Sequence, residues 1–386
     1  MALHFERSEF QDRIARARAA LADSRLDAVV LFAQESLYYL TGFDTSGFVF
    51  FQCAVLTRDD KPMILLTRRP DLEQARRTSI FEDIRLWYDA ESADPSKELQ
   101  AILQELGLKG GKVGVETTTH GLTGFNWERV RRRLDGWCTP VPGTDIVRAL
   151  RLVKSPAEIA HVRKAAGLAD DSLAAMLAVA APGAFEGRIA AAGVAAILAG
   201  GGDMPPSGPV LGSGDRALLV RSATGFRTLD AEDQLTMEFA GSWRHYCACL
   251  MRTVAIGKGN DAQRRMFEVT KDALAAMTEA ARPGNTLGQI DDAHRRVYDK
   301  AGYGEKRMSA CGYSLGATFR PSWMDVPPML YSGNVTPCQR GMVLFLHAIL
   351  IDAPANLAMS LGHTVVVGEN GAEVLSKLTP EYHVGA

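Results

Sequence analysis

Residues 233–253, DQLTMEFAGSWRHYCACLMRT, contain two apolar strand patterns separated by a short polar segment. The patterns predict strands over residues 234–240 and 245–256. Because successive side chains of a strand point to opposite faces of its sheet, every second residue shares a face. On the second strand, one face carries Cys247, Cys249 and Met251. We expect this face to line a cavity.

The sequence around this stretch predicts long Ala-rich helices and further strands. Ser155, Pro156 and Glu158 form a helix-start pattern, with a cap, a first-turn proline and a reciprocal carboxylate. The helices are expected at residues 156–180, 184–199, 260–281 and 287–301, and the strands at 208–212, 342–352 and 360–367. This pattern indicates helices that cover a curved antiparallel sheet.

The N-terminal part alternates strand and helix patterns, as an α/β layer does. A helix over residues 9–24 leads into a strand over 27–32, and Pro142 and Gly143 end this part. We place the boundary near residue 147. The predicted domains are therefore residues 1–147 and 148–386.

Composition and charge narrow the functional class. The 386 residues are 47% hydrophobic and 23% charged, with a formal net charge of -2. No apolar run reaches the roughly 20 residues of a membrane helix, and the start, MALHFERSEFQDR, becomes charged at once. The six cysteines contain no CxxC pair. We therefore expect a cytoplasmic protein with no membrane or nucleic-acid partner.

Four segments in a fixed order resemble the creatinase and Xaa-Pro aminopeptidase superfamily over essentially the whole chain. They are residues 151–166 (RLVKSPAEIAHVRKAA), 233–253, 340–351 (RGMVLFLHAILI) and 361–375 (LGHTVVVGENGAEVL). The resemblance implies an α/β N-terminal domain and an α+β pita-bread C-terminal domain with a curved antiparallel sheet. It also implies a homodimer whose active site lies near the subunit interface.

Peptidases of that superfamily bind two metal ions through Asp, Asp, His, Glu and Glu, since hard divalent ions need several anionic oxygens. The corresponding positions here are Glu238, Cys249, Tyr313, His347 and Gly362. Only one carboxylate remains among them. The resemblance therefore implies a metal-free and cofactor-free site, although Glu, Cys and His are also possible zinc ligands.

The candidate catalytic residues are Glu238, Cys249, His347 and Tyr313, and two interpretations stay open for each of the first three. A thiol beside a carboxylate and a histidine suits a covalent nucleophile with a base, yet Cys249 also fits a small buried hydrophobe. Glu238 is a general base or acid, or a buried acid paired with Arg252 or Arg221. His347 is a proton shuttle or a core residue, and His363 is its substitute.

Candidate substrate-binding residues come from both halves of the chain. Arg221 and Arg320 align with active-site histidines of the superfamily, and a guanidinium binds a carboxylate with two parallel hydrogen bonds. The alternative for each is a surface or structural arginine. In GFDTSGFVFF, Phe43, Asp44 and Phe48 fit an aromatic lid over a neighbouring subunit's pocket, or an ordinary core stripe. His363 completes the set.

The resemblance thus implies a metal-independent hydrolase of a non-peptide C–N bond in a small zwitterionic amidine or guanidino acid. Ring opening of ectoine or hydroxyectoine is the best substrate hypothesis. Two alternatives remain: a metal-dependent Xaa-Pro peptidase with unusual ligands, and a catalytically inactive pita-bread protein that binds a ligand.

Overall fold

The computed structural model describes residues 3–385. The chain forms two compact units that divide after Arg151. The predicted boundary near residue 147 lies within the helix Asp145–Leu152, whose Ile146 and Val147 pack into the core of the first unit. Within residues 3–385, no helix is long and apolar enough to cross a membrane.

The first unit is a six-stranded mixed sheet with helices against both faces. Its helices are α1 Arg7–Asp23, α2 Gln34–Thr41, α3 Leu72–Thr78, α4 Pro95–Glu105, α5 Gly124–Leu134 and α6 Asp145–Leu152. Its strands are β1 Ala28–Leu31, β2 Cys53–Thr57, β3 Ile64–Arg68, β4 Asp83–Trp87, β5 Lys112–Val115 and β6 Thr139–Pro142. The strand order is β4-β3-β2-β1-β5-β6. Alternate residues of β1 enter two different hydrophobic cores, one on each face.

The second unit is built on a curled sheet of eight strands, all antiparallel except for the pairing of β14 with β9. Its helices are α7 Pro156–Leu177, α8 Glu186–Ala199, α9 Asp261–Ala280 and α10 Leu287–Lys300. Its strands are β7 Val210–Ser213, β8 Asp233–Trp243, β9 Tyr246–Ile256, β10 Gly312–Ser314, β11 Val343–Asp352, β12 Leu357–Val367, β13 Ala372–Val374 and β14 Val384–Gly385. The main path is β10-β11-β12-β9-β8-β7. These two architectures confirm the predicted fold classes.

The helices of the second unit cover one face of its sheet. The predicted cap of α7 is present, since Ser155 accepts from the Glu158 backbone and Glu158 accepts from the Ser155 backbone. Helix α7 lies directly on β8 at Gly241, where any Cβ would collide with the backbone of Ala165 and Ala169. The opposite sheet face is thus left free to carry polar side chains.

Candidate active site

Cross-strand register places the candidate residues on the face opposite the helices. Glu238 of β8 pairs with Met251 of β9, and Ala240 pairs with Cys249. Directly paired residues point to the same side of a sheet. Glu238 and Cys249 therefore share a face but lie on a diagonal, about 7 Å apart at Cβ, and are not directly opposite each other.

The neighbouring strands extend the same face. Met251 pairs with Gly362 of β12, which in turn pairs with His347 of β11. Tyr313 of β10 pairs with Phe345, two residues before His347. Four strands thus bring Glu238, Cys249, Tyr313 and His347 to one side of the sheet.

The Tyr313 hydroxyl connects this cluster. It donates to Glu238 Oε1 at 3.0 Å and accepts from Trp323 Nε1 at 2.8 Å. The same hydroxyl interacts with the Cys249 thiol. The Tyr313 ring also packs against His347, with centroids 5.7 Å apart. Tyr313 therefore occupies the space between the carboxylate and the thiol.

Trp323 was missed by the sequence reasoning. It lies in a segment without regular secondary structure, SWMDVPP, and its side chain is buried. The only signal was general: a buried indole N–H usually finds an acceptor. No spacing rule indicated that the acceptor is Tyr313.

Glu238 has the electrostatics of a proton-transfer group. Burial raises the pKa of Glu238 to about 7, although the Tyr313 hydrogen bond and the charge of Arg221 both act to lower it. The residue nevertheless keeps partial access to solvent. Near neutral pH, the carboxyl can therefore both accept and return a proton.

Cys249 is a protonated thiol in this environment. Burial, followed by the nearby Cys247 and Glu238, raises the pKa of Cys249 well above its ordinary value. Its backbone N–H and C=O both bond to the Thr364 hydroxyl, at 2.7 and 3.0 Å. The structure thus disfavours the thiolate on which a covalent role depends. Cys247 shares the face, with its sulfur 3.5 Å from Thr318 Oγ1.

The two candidate histidines lie on opposite faces. His347 is buried in the cluster, where burial first, and His294 next, lower its pKa to about 4. His363 pairs with Leu250 on the helix side, and its Nε2 lies 2.9 Å from Thr278 Oγ1 of α9. The expectation that His363 substitutes for His347 is therefore wrong, because one residue along a strand reverses the face.

The candidate arginines occupy three different environments. Arg221 is exposed and close enough to Glu238 to lower its pKa. Arg252 points away from the site and donates to the Gly362 and Leu378 carbonyls, so it does not pair with Glu238. Arg320 is exposed, and no hydrogen bond within residues 3–385 joins it to the cluster.

The structure contradicts an aromatic lid that includes Phe43. Phe43 is fully buried in the core of the first unit, where its ring contacts Phe81 with centroids 6.3 Å apart. Phe48 is also buried, and the Asp44 backbone N–H donates to Thr78. Both phenylalanines are therefore buried core residues, which was the alternative to an aromatic lid.

The donor set does not fit a pair of hard metal ions. Glu238 is the only carboxylate among the five aligned positions, and the Tyr313 hydroxyl already donates to it. At Gly362, an added Cβ would lie 2.7 Å from the Phe345 ring. That ring therefore fills the space in which a glutamate side chain would begin.

Comparisons with known proteins agree with the two-unit architecture. Residues 160–369 match the family model for metallopeptidase family M24, and residues 13–153 match the creatinase/prolidase N-terminal domain. The ectoine hydrolase of Halomonas elongata is 23% identical, over 97% of this chain and 97% of its own length. An Xaa-Pro dipeptidase of Pyrococcus furiosus is 26% identical, over 61% of this chain and 66% of its own length.

Among solved structures, dipeptidase PepE from Mycobacterium ulcerans superimposes with a TM-score of 0.85 and 25% identity, covering 99% of both chains. The curled sheet with helices on one face is therefore the pita-bread fold that the sequence resemblance implied.

Proposed function

Since this chain belongs to metallopeptidase family M24 and carries a creatinase/prolidase N-terminal domain, we propose that it hydrolyses a non-peptide C–N bond without a metal ion. The proposed substrate class is a small zwitterionic amidine or guanidino acid, with ectoine or hydroxyectoine as the first candidates. One observation carries the proposal: Glu238, whose pKa burial raises to about 7 and whose carboxylate accepts from the Tyr313 hydroxyl at 3.0 Å, is the one carboxylate left among the five aligned positions.

The proposed chemistry begins with water next to Glu238. The ionised carboxylate removes a proton from water as the oxygen forms a bond to the amidine carbon. The tetrahedral adduct collapses by breaking one C–N bond, and Glu238 returns the proton to the departing nitrogen. An amidine and water thus give an amide and an amine. Tyr313 keeps the carboxylate oriented, and neutral His347 packs against the Tyr313 ring.

Arg221 is the proposed partner of the substrate carboxylate. Its side chain makes no hydrogen bond within residues 3–385, and its positive charge acts to lower the pKa of Glu238. A guanidinium close enough to influence Glu238 suits a ligand that carries an anionic group near its reacting carbon. We expect Arg221→Lys to raise KM more than it lowers kcat, because the bidentate geometry is lost and the charge is kept.

The assay compares two substrate classes on the same preparation. Ectoine, hydroxyectoine and a panel of amidino and guanidino acids are incubated with chelator, and Xaa-Pro dipeptides are incubated with added Mn²⁺, Co²⁺ or Zn²⁺. We expect a ring-opened product from the first class, detected by mass spectrometry and absent with Glu238→Gln. Metal-dependent cleavage of Xaa-Pro dipeptides with no turnover of amidines would overturn the proposal in favour of a peptidase.

Cys249→Ala separates the water route from a covalent route. Because the thiol is buried and protonated, we expect this variant to keep activity within about tenfold of the native protein. A loss of 10³-fold or more, or a substrate-derived mass increase on the native chain, would assign bond formation to the sulfur instead. The homodimer implied by the sequence resemblance remains a prediction, which light scattering can measure.

A further inference from the structure

A second polar cluster lies in the core of the C-terminal unit, next to His347, whose backbone N–H donates to the Cys311 carbonyl at 2.9 Å. Asp291 and His294 are one turn apart on α10, and Cys311 directly precedes β10. One ligand atom from each of the three lies within 4.8 Å of the others. All three side chains are buried, with at most 1% of their surface exposed.

His294 is the unexplained member of this cluster. Both of its ring nitrogens are buried without a hydrogen bond within residues 3–385, although Nδ1 lies 3.3 Å from Asp291 Oδ1. Its ring contacts Tyr298 edge-on, with centroids 4.7 Å apart. Nδ1 thus has the Asp291 carboxylate as a neighbour, but burying Nε2 with no partner within residues 3–385 is costly.

Both carboxylate oxygens of Asp291 have donors beside them. Its Oδ2 accepts from the Ser332 backbone N–H at 3.0 Å, and its Oδ1 lies 3.4 Å from Arg307 Nη1. Outer donors of this kind fix the direction of a ligating carboxylate. Arg307 also donates to the Met308 carbonyl, so its position is set by the backbone as well as by Asp291.

We propose that Asp291, His294 and Cys311 bind one zinc ion. Nitrogen, oxygen and sulfur ligands together suit zinc, whereas Mg²⁺ and Ca²⁺ take oxygen ligands. A tetrahedral zinc with bonds of about 2.0–2.3 Å separates its ligands by about 3.3–3.8 Å. The three atoms therefore need to close by no more than about 1.5 Å on binding. The divalent charge is balanced by one carboxylate and one thiolate.

A zinc ion bound by these three residues would link helix α10 to the start of β10. Tyr313, which holds Glu238, is only two residues beyond Cys311. Zinc would thus stabilise the strand that positions Tyr313, without contacting the reacting groups. Its presence is independent of the proposed C–N hydrolysis.

The test is zinc stoichiometry and coordination in the full-length protein. After chelator treatment, addition of zinc and gel filtration, we expect about one zinc per chain. X-ray absorption should report one sulfur at about 2.3 Å and nitrogen or oxygen at about 2.0–2.1 Å. Cys311→Ser and His294→Gln should each lose the ion. Cys338→Ser, a matched buried cysteine of the same core, should keep it.

Cobalt substitution in the native protein gives a reading that depends on no variant, because a thiolate-to-cobalt absorption band reports sulfur ligation directly. No retained zinc, or zinc without sulfur, would overturn this inference while leaving the proposed hydrolysis intact. Zinc that is lost in Cys249→Ser but kept in Cys311→Ser would overturn the inference too, and would place a metal in the proposed active site.

Discussion

At the residue scale, the raised pKa of Glu238 gives a pH dependence with a definite sign. A general base must be ionised, so kcat/KM should rise about tenfold per pH unit below about 7 and level off above it. Initial rates from pH 5 to 9 measure this profile. A profile that falls across the same range would instead require the protonated carboxyl and would contradict the base role.

The same shift predicts an effect on stability. The fold favours neutral Glu238, so its contribution to stability is complete below about pH 4.3 and is lost as pH rises through about 7. Glu238→Gln should therefore raise the free energy of unfolding at pH 8 by about 1–3 kcal/mol. At pH 4 it should change little. Urea unfolding at both pH values checks the difference, and equal changes at both would contradict it.

Tyr313→Phe tests the connecting hydroxyl. Glu238 loses a donor that lowers its pKa, and Trp323 loses its acceptor. We expect the rising limb of the pH profile to move to higher pH and kcat/KM to fall by about 10–100-fold, as for a hydrogen bond to a charged group. Trp323→Phe is the control, since it keeps the Tyr313–Glu238 bond. An unchanged profile in Tyr313→Phe would remove the hydroxyl from the chemistry.

Strand alternation and the five aligned positions were sufficient to predict that Glu238 and Cys249 share a face. They were not sufficient to predict that Tyr313 separates the two side chains. That arrangement depends on the short edge strand β10 and on Trp323, which comes from an irregular segment. Local periodicity contains no information about which loop side chain reaches a given hydroxyl.

At the element scale, β12 shows how one residue of register decides a role. Gly362 faces the site and His363 faces α9, although the sequence alone left both possible. The capping box of α7 was predictable, in contrast, because all its hydrogen-bonding groups lie within four consecutive residues.

Gly362→Ala tests the close approach of β12 to β11. The added Cβ would lie 2.7 Å from the Phe345 ring, which contacts both Tyr313 and His347. The ring must move, so we expect a loss of about 1–3 kcal/mol in unfolding free energy and a lower kcat. His363→Gln is the matched control on the opposite face, where we expect kcat to be kept. A larger loss of kcat in the control would contradict the assigned faces.

At the scale of the whole molecule, each unit has hydrophobic cores of its own, and all the proposed reacting residues lie after Arg151. Unfolding in a calorimeter should therefore depart from a single two-state transition. A ligand that binds only the folded second unit should add about 2.7 kcal/mol to the unfolding free energy of that unit at 100 times Kd. The transition temperature of that unit should therefore rise. The first unit's transition should stay in place.

The calorimetric ligand is ectoine, added to Glu238→Gln so that it is not consumed. Arg221→Ala is the matched control, because it removes the proposed carboxylate partner while leaving the core of the unit unchanged. We expect the shift in Glu238→Gln and its loss when both changes are combined. A shift confined to the transition of residues before Arg151, or one that persists without Arg221, would move substrate recognition away from the face that carries Glu238.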